Sequence, residues 1–174
     1  MNTPEKYPKA MIMIHWLSVV LLIALFFIGK NMEEYEFNAE NFNRYRLHAL
    51  LGMLLFVLTL VRLYFKKTKL QPQSIEYYSA MHKSFVTGVL SMIYFFLLTV
   101  PVIGFVMVYQ TGAFQYEWFG AEFPQTNFSE ALAQIHEAFV FILLALAAIH
   151  VSGVFMYKFK TGENLIKRMC LLMK

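Results

Sequence analysis

The stretch IHEAFVFILLALAAIHVSGVFMY, Ile135 to Tyr157, decides the fold. Between Glu137 and Lys158 it contains no acid and no lysine or arginine. A run of about 20 such residues is what the hydrocarbon core of a bilayer demands of a spanning helix. An imidazole nevertheless stands near each end of the run, at His136 and His150. Ionisable groups inside a membrane are costly and usually mark function. This stretch therefore reads as a membrane helix that carries two polar sites.

Three further stretches have the same character. They are Ala10–Gly29 (AMIMIHWLSVVLLIALFFIG), Leu47–Phe65, and Ser84–Tyr109, which contains Pro101 and Gly104. The most apolar part of the fourth is Ala138–Tyr157. The spacing of Asn127 and Glu130 is that of a capping box and predicts a start near Phe128 or Ser129. The expected helices are about 10–29, 47–65, 84–109 and 130–157, in one domain covering 1–174. The first span lacks a small-residue cleavage site before Lys30, and its apolar run is too long for a signal peptide, so it reads as an uncleaved helix. Composition agrees: 59% of the 174 residues are hydrophobic and only 15% charged, where a soluble domain carries about a quarter. A single cysteine, Cys170, excludes an internal disulfide framework and a Cys-rich metal site. The expected fold is all-α, an integral membrane four-helix bundle.

Lysine and arginine concentrate on the side of a membrane that faces the cytoplasm. Lys6 and Lys9 precede the first span. Arg62, Lys66, Lys67, Lys69 and Lys83 bracket the loop after the second, and Lys158, Lys160, Lys167, Arg168 and Lys174 follow the fourth. Only Lys30, Arg44 and Arg46 lie on the other side, where Glu33, Glu34, Glu36, Glu40, Glu117, Glu122 and Glu130 gather. This bias predicts cytoplasmic N- and C-termini and external first and third loops, which in a Gram-negative bacterium would be periplasmic loops of an inner-membrane protein. It also accounts for the net charge of +4 without a nucleic-acid partner.

Alternating helix direction sets the depth of the histidines. His15 lies early in the first span and His150 late in the fourth, so both fall near the inner face. His48 opens the second span and His136 the fourth, so both fall near the outer face. Fourteen residues separate His136 from His150, close to four turns and about 21 Å of axial rise. The two imidazoles therefore project from nearly one face, with Val140, Leu143 and Ala147 between them. Two facing imidazoles can each give a nitrogen to one iron, as in a bis-histidine haem b. The expected ligand pairs are His15 with His150 and His48 with His136. Gly52, four residues after His48, removes a side chain where a macrocycle would lie. Arg62 is placed to meet a propionate of the inner haem, and Arg44 and Arg46 one of the outer haem.

Plainer readings stand beside these. A lone membrane histidine is commonly an interhelical contact, and Arg62 also fits a side chain snorkelling its charge to the interface. Zinc or copper would need further ligands, and nothing supplies them at the right depth. His82 reads as interfacial or solvated, Trp16 and Trp118 as interfacial anchors, and Pro101 as a kink that a bundle tolerates.

Taken together, IHW at His15, HALLG from His48 to Gly52, VR ending at Arg62, PVIGFVMVYQTG from Pro101, IHE at His136 and IH at His150 resemble the bacterial cytochrome b561 family. The likeness covers nearly the whole chain. It implies two haems b ligated by His15, His48, His136 and His150, with electron exchange with the ubiquinone pool. The third span and the compact length resemble stand-alone members, which implies oxidation of periplasmic superoxide. Two other functions compete. One is a cytochrome b anchor subunit of a dehydrogenase or hydrogenase, which would dock a soluble redox protein. The other is a haem-free proton-coupled transporter, for which Glu137 is the only candidate membrane carboxylate. Membrane lipid, quinone and an outer electron donor are the expected partners.

Overall fold

The structure, a computed structural model, describes residues 5–69, 71–73, 75–77, 79–123 and 128–171. Among the described residues five α-helices follow one another: α1 Lys9–Met32, α2 Phe42–Thr68, α3 Ala80–Thr111, α4 Ala113–Phe119 and α5 Glu130–Thr161. A short 3-10 helix, Leu165–Met169, follows α5. No strand occurs among the described residues. Helices α1, α2, α3 and α5 are long and apolar enough to cross a membrane. Large apolar side chains point outward along them, among them Val20, Phe27, Leu50, Phe95 and Val151. In water such a surface would be a liability, whereas in lipid it is the expected exterior.

Each long helix outruns its apolar stretch by several residues, most of all α5 and α2. The apolar run measures the part inside hydrocarbon. The helix continues through the interface, where polar residues such as Asn43, Arg44 and Lys66 are solvated. Helix α3 passes through Pro101 and stops at Gly112, whose φ of 84° only glycine adopts readily. The seven-residue α4 that follows was not expected from the sequence. Ser79 caps α3 by accepting the His82 backbone N–H at 3.1 Å. Asn127, of the expected capping box, lies outside the described residues. Ser129 occupies the cap position of α5, with no side-chain hydrogen bond.

Close main-chain packing runs from α1 to α2, α2 to α3 and α3 to α5. Helix α5 meets α1 mainly through side chains, with Phe26 and Phe141 edge to face at 6.2 Å and Lys30 pairing with Glu137 at 3.3 Å. A belt of buried Leu21, Leu25, Leu55, Phe96, Leu97, Val100, Leu143 and Leu146 fills the middle of the bundle. The buried hydroxyls of Ser18 and Thr59 donate to carbonyls one turn back, Ile14 and Leu55. They therefore leave no donor stranded in the apolar belt. The segments that precede α1 and follow α5 meet at one end of the bundle, where the Tyr7 N–H donates to the Arg168 carbonyl at 3.1 Å.

Candidate functional site

The alternation of helix direction brings the four histidines together in two pairs. At the end of the bundle away from the termini, the rings of His48 on α2 and His136 on α5 have centroids 6.3 Å apart, inclined by 65°. A metal–imidazole bond is about 2 Å long and a ring nitrogen lies about 1.1 Å from the ring centre, so two imidazoles on one iron have centres about 6 Å apart. The observed separation fits that arrangement. At the other end, His15 on α1 and His150 on α5 lie within electrostatic reach of each other. All four rings are half-buried.

The Nδ1 atoms of His15, His48 and His136 are buried without a hydrogen-bond partner. A buried polar atom is rarely left in that condition without a reason. Val100 presents its backbone carbonyl within acceptor reach of the His136 ring, short of full hydrogen-bond geometry at Nδ1. Such carbonyls commonly orient a ligating imidazole from behind.

Two glycines seat the His48–His136 pair. A Cβ at Gly29 on α1 would lie 3.3 Å from His48 Cε1, and one at Gly104 on α3 would lie 3.3 Å from His136 Cε1. Ordinary carbon contacts are about 3.5–4.0 Å, so both rings press against bare helix backbone. A Cβ at Gly52 would meet no atom within 4 Å, which leaves room for a flat ring beside α2. The sequence had marked Gly29 only as the end of a span and Gly104 only as an interruption. A glycine inside an apolar helix was the available signal.

The arginines fall into two groups. Arg62 is half-buried, and its Nε has no partner. Its guanidinium lies 5.6 Å from the Tyr94 ring centre, with Lys66 Nζ 5.2 Å from the same ring. It is within electrostatic reach of both His15 and His150, and this local excess of positive charge suits a carboxylate. Arg44 and Arg46, by contrast, already have partners. Arg44 stacks 3.9 Å above the Tyr35 ring and donates to Asn31 Oδ1 at 3.1 Å. Arg46 pairs with Glu117 of α4 at 3.0 Å.

Of the remaining residues singled out in the sequence, His82 has its ring 5.8 Å from Tyr77 at the start of α3. Trp16 donates from Nε1 to the Met169 carbonyl at 2.7 Å. Glu137 pairs with Lys30 at the rim. Among the described residues, no three His, Cys, Asp or Glu side chains converge as a cage for a bare metal ion would require. The imidazoles come in twos, and two axial ligands are what a haem asks of its protein.

An all-helical bundle with four helices long and apolar enough to cross a membrane has the architecture of a multi-pass membrane protein. The sequence model of prokaryotic cytochrome b561 matches residues 6–170, nearly the whole chain. The chain belongs to that family, and membership implies electron transfer by b-type haem within a membrane. No curated protein matches the chain closely enough to serve as a named relative.

Proposed function

We propose that the chain carries two haems b, one between His15 and His150 and one between His48 and His136, and passes electrons between a donor at the outer face and ubiquinone in the membrane. The observation that carries this reading is the 6.3 Å separation of the His48 and His136 rings. The basic residues around the termini support a cytoplasmic location for that end in a bacterial inner membrane. When bound between two histidines, haem b supplies one-electron outer-sphere transfer, with no open coordination position for a substrate.

The protein's own residues hold and insulate. Gly29 and Gly104 let the outer imidazoles sit hard against backbone. Arg62 would hold and neutralise a propionate of the inner haem. Arg44 and Arg46 would have to give up Tyr35, Asn31 and Glu117 to serve an outer one, so Arg62 is the stronger propionate partner. Leu55 and Leu143, 3% and 2% exposed, exclude water from the belt between the two levels.

The outer donor is superoxide or a redox protein, and one observation favours the protein. Lys30, Arg44 and Arg46 at the outer end each bind a carboxylate, amide or ring already. Glu34, Glu36, Glu40 and Glu122 add further negative charge to the same loops. Such a rim repels a small anion and attracts a basic partner. The test is reduction of purified, haem-loaded protein by superoxide and by quinol, followed in the b-type absorption band at two salt concentrations. Superoxide as donor gives reduction that is reoxidised by quinone and quickens as salt screens the rim. A basic protein as donor gives reduction that slows with salt and a stoichiometric partner on purification. Purified protein without a reduced b-type band would sink the reading altogether.

A further inference from the structure

The outer pair is seated by glycines, and no comparable backbone seat meets His15 among the described residues. One aromatic ring beside His15 is that of Trp16, edge-on at 5.4 Å with an interplanar angle of 62°. Trp16 is itself 46% exposed, so burial alone does not fix it. The hydrogen bond that does, 2.7 Å from Nε1 to the Met169 carbonyl, comes from the far end of the chain.

That far end is built to be held. Gly162, at φ 77°, turns the chain back after α5. The Asn164 side chain accepts the Ile166 N–H at 3.1 Å and starts the 3-10 helix. Arg168 binds Glu163 Oε1 through Nε and Nη2, at 3.1 and 2.6 Å. It also donates to the Gln73 carbonyl at 2.6 Å, in the loop between α2 and α3. Its own carbonyl accepts the Tyr7 N–H, and the Cys170 carbonyl accepts from Lys6 Nζ at 3.1 Å. The segment thus ties together the N-terminal segment, α1, the α2–α3 loop and α5. Burial raises the pKa of the Tyr7 phenol, with Arg168 and Arg62 drawing it back. The phenol is thus neutral and packed into this knot at ordinary pH.

We infer that the segment Glu163–Cys170 is a latch on the inner histidine pair and that Trp16 is the positioning residue through which it orients His15. This rests on the two-haem reading above. A ligating imidazole keeps its geometry through the groups that surround it, and loosening them weakens the ligand. Trp16 has one polar atom, and the latch holds it.

The test uses the haem-loaded protein and two mild variants. Trp16→Phe keeps an apolar ring and removes the N–H, and Arg168→Gln frees the latch without touching α1. Trp118→Phe, at the opposite end, is the control. The readouts are the fraction of reduced haem that binds carbon monoxide, which needs a ligand to let go, and the low-spin resonance signature of each haem. Both variants are expected to raise the carbon-monoxide-reactive fraction from near none toward one haem in two, with the second haem's signature and the Trp118→Phe protein unchanged. Variants indistinguishable from wild type, or variants that lose both haems equally, overturn the latch while leaving the two-haem reading intact. Wild-type protein without a b-type band overturns both.

Discussion

Replacing Gly52 by alanine separates the packing of the helices from the packing of a macrocycle against them. Gly52 is one turn beyond His48, inside α2. The added Cβ would meet no protein atom within 4 Å, so the protein alone loses no contact and suffers no overlap. Exchanging glycine for alanine inside a helix is worth about 1 kcal/mol in its favour. A haem edge lying on this face would reverse the balance. One extra methyl in a filled site costs about 1–3 kcal/mol, which weakens haem retention about 5- to 140-fold at about 1.4 kcal/mol per factor of ten. Gly88→Ala is the matched control: it too lies within a spanning helix, and its Cβ would also meet nothing within 4 Å. The assay is haem transfer from purified protein to a haem-scavenging acceptor, alongside thermal unfolding. Gly88→Ala should gain stability and keep its haem, while Gly52→Ala loses haem faster. Equal retention in the two variants would refute the placement of a haem against Gly52.

Other substitutions divide the two sites. Gly29→Ala and Gly104→Ala each force a contact of 3.3 Å onto an outer histidine. They should broaden or shift the spectrum of one haem only, and a change in both would contradict two independent sites. His136→Ala and His150→Ala should each lower the haem-to-protein ratio from two toward one, and pyridine haemochrome analysis measures this. Arg62→Gln should lower the midpoint potential of the inner haem, because a cation nearby favours the electron-rich state, and a redox titration reads the shift. Arg46→Gln breaks an ion pair whose partners are 46% and 29% exposed. Such a pair is worth less than about 1 kcal/mol, so melting temperature and haem content should hardly move.

The spans were legible because hydrocarbon thickness imposes a length that few soluble helices satisfy with so little charge. The association of His48 with His136 followed from the same source: once direction alternates, position along each helix becomes depth. The seats of those rings were not legible. Gly29 and Gly104 matter through helices they are not part of, and a single sequence does not say which helix a glycine faces. Helix α4 was hidden because AFQYEWF, between Gly112 and Gly120, is too short to show a period. The latch was hidden for a different reason. LIKRM reads as a basic tail, and only the fold shows Arg168 spending its side chain on Glu163 and Gln73. Arg44 and Arg46 looked available because the sequence does not reveal that Tyr35 and Glu117 stand beside them.

The order of helix packing ties these features together. Main chains pack closely from α1 through α2 and α3 to α5, and the order does not close in the same way between α5 and α1 or α2. Both histidine pairs span that wider separation, His15 and His48 on one side and His136 and His150 on the other. Interiors pack at nearly crystalline density, so apolar helices held apart need something of matching width between them. Near the outer end the width is set by side chains, the Lys30–Glu137 pair and the Phe26–Phe141 contact. In the middle it is taken up by the leucine belt. Helix α5, packed closely on α3 and carrying an imidazole near either end, can present those imidazoles to partners on two different helices. This explains why one helix carries two of the four histidines, and why its C-terminal continuation turns back to clasp the end of the bundle that the glycines do not seat.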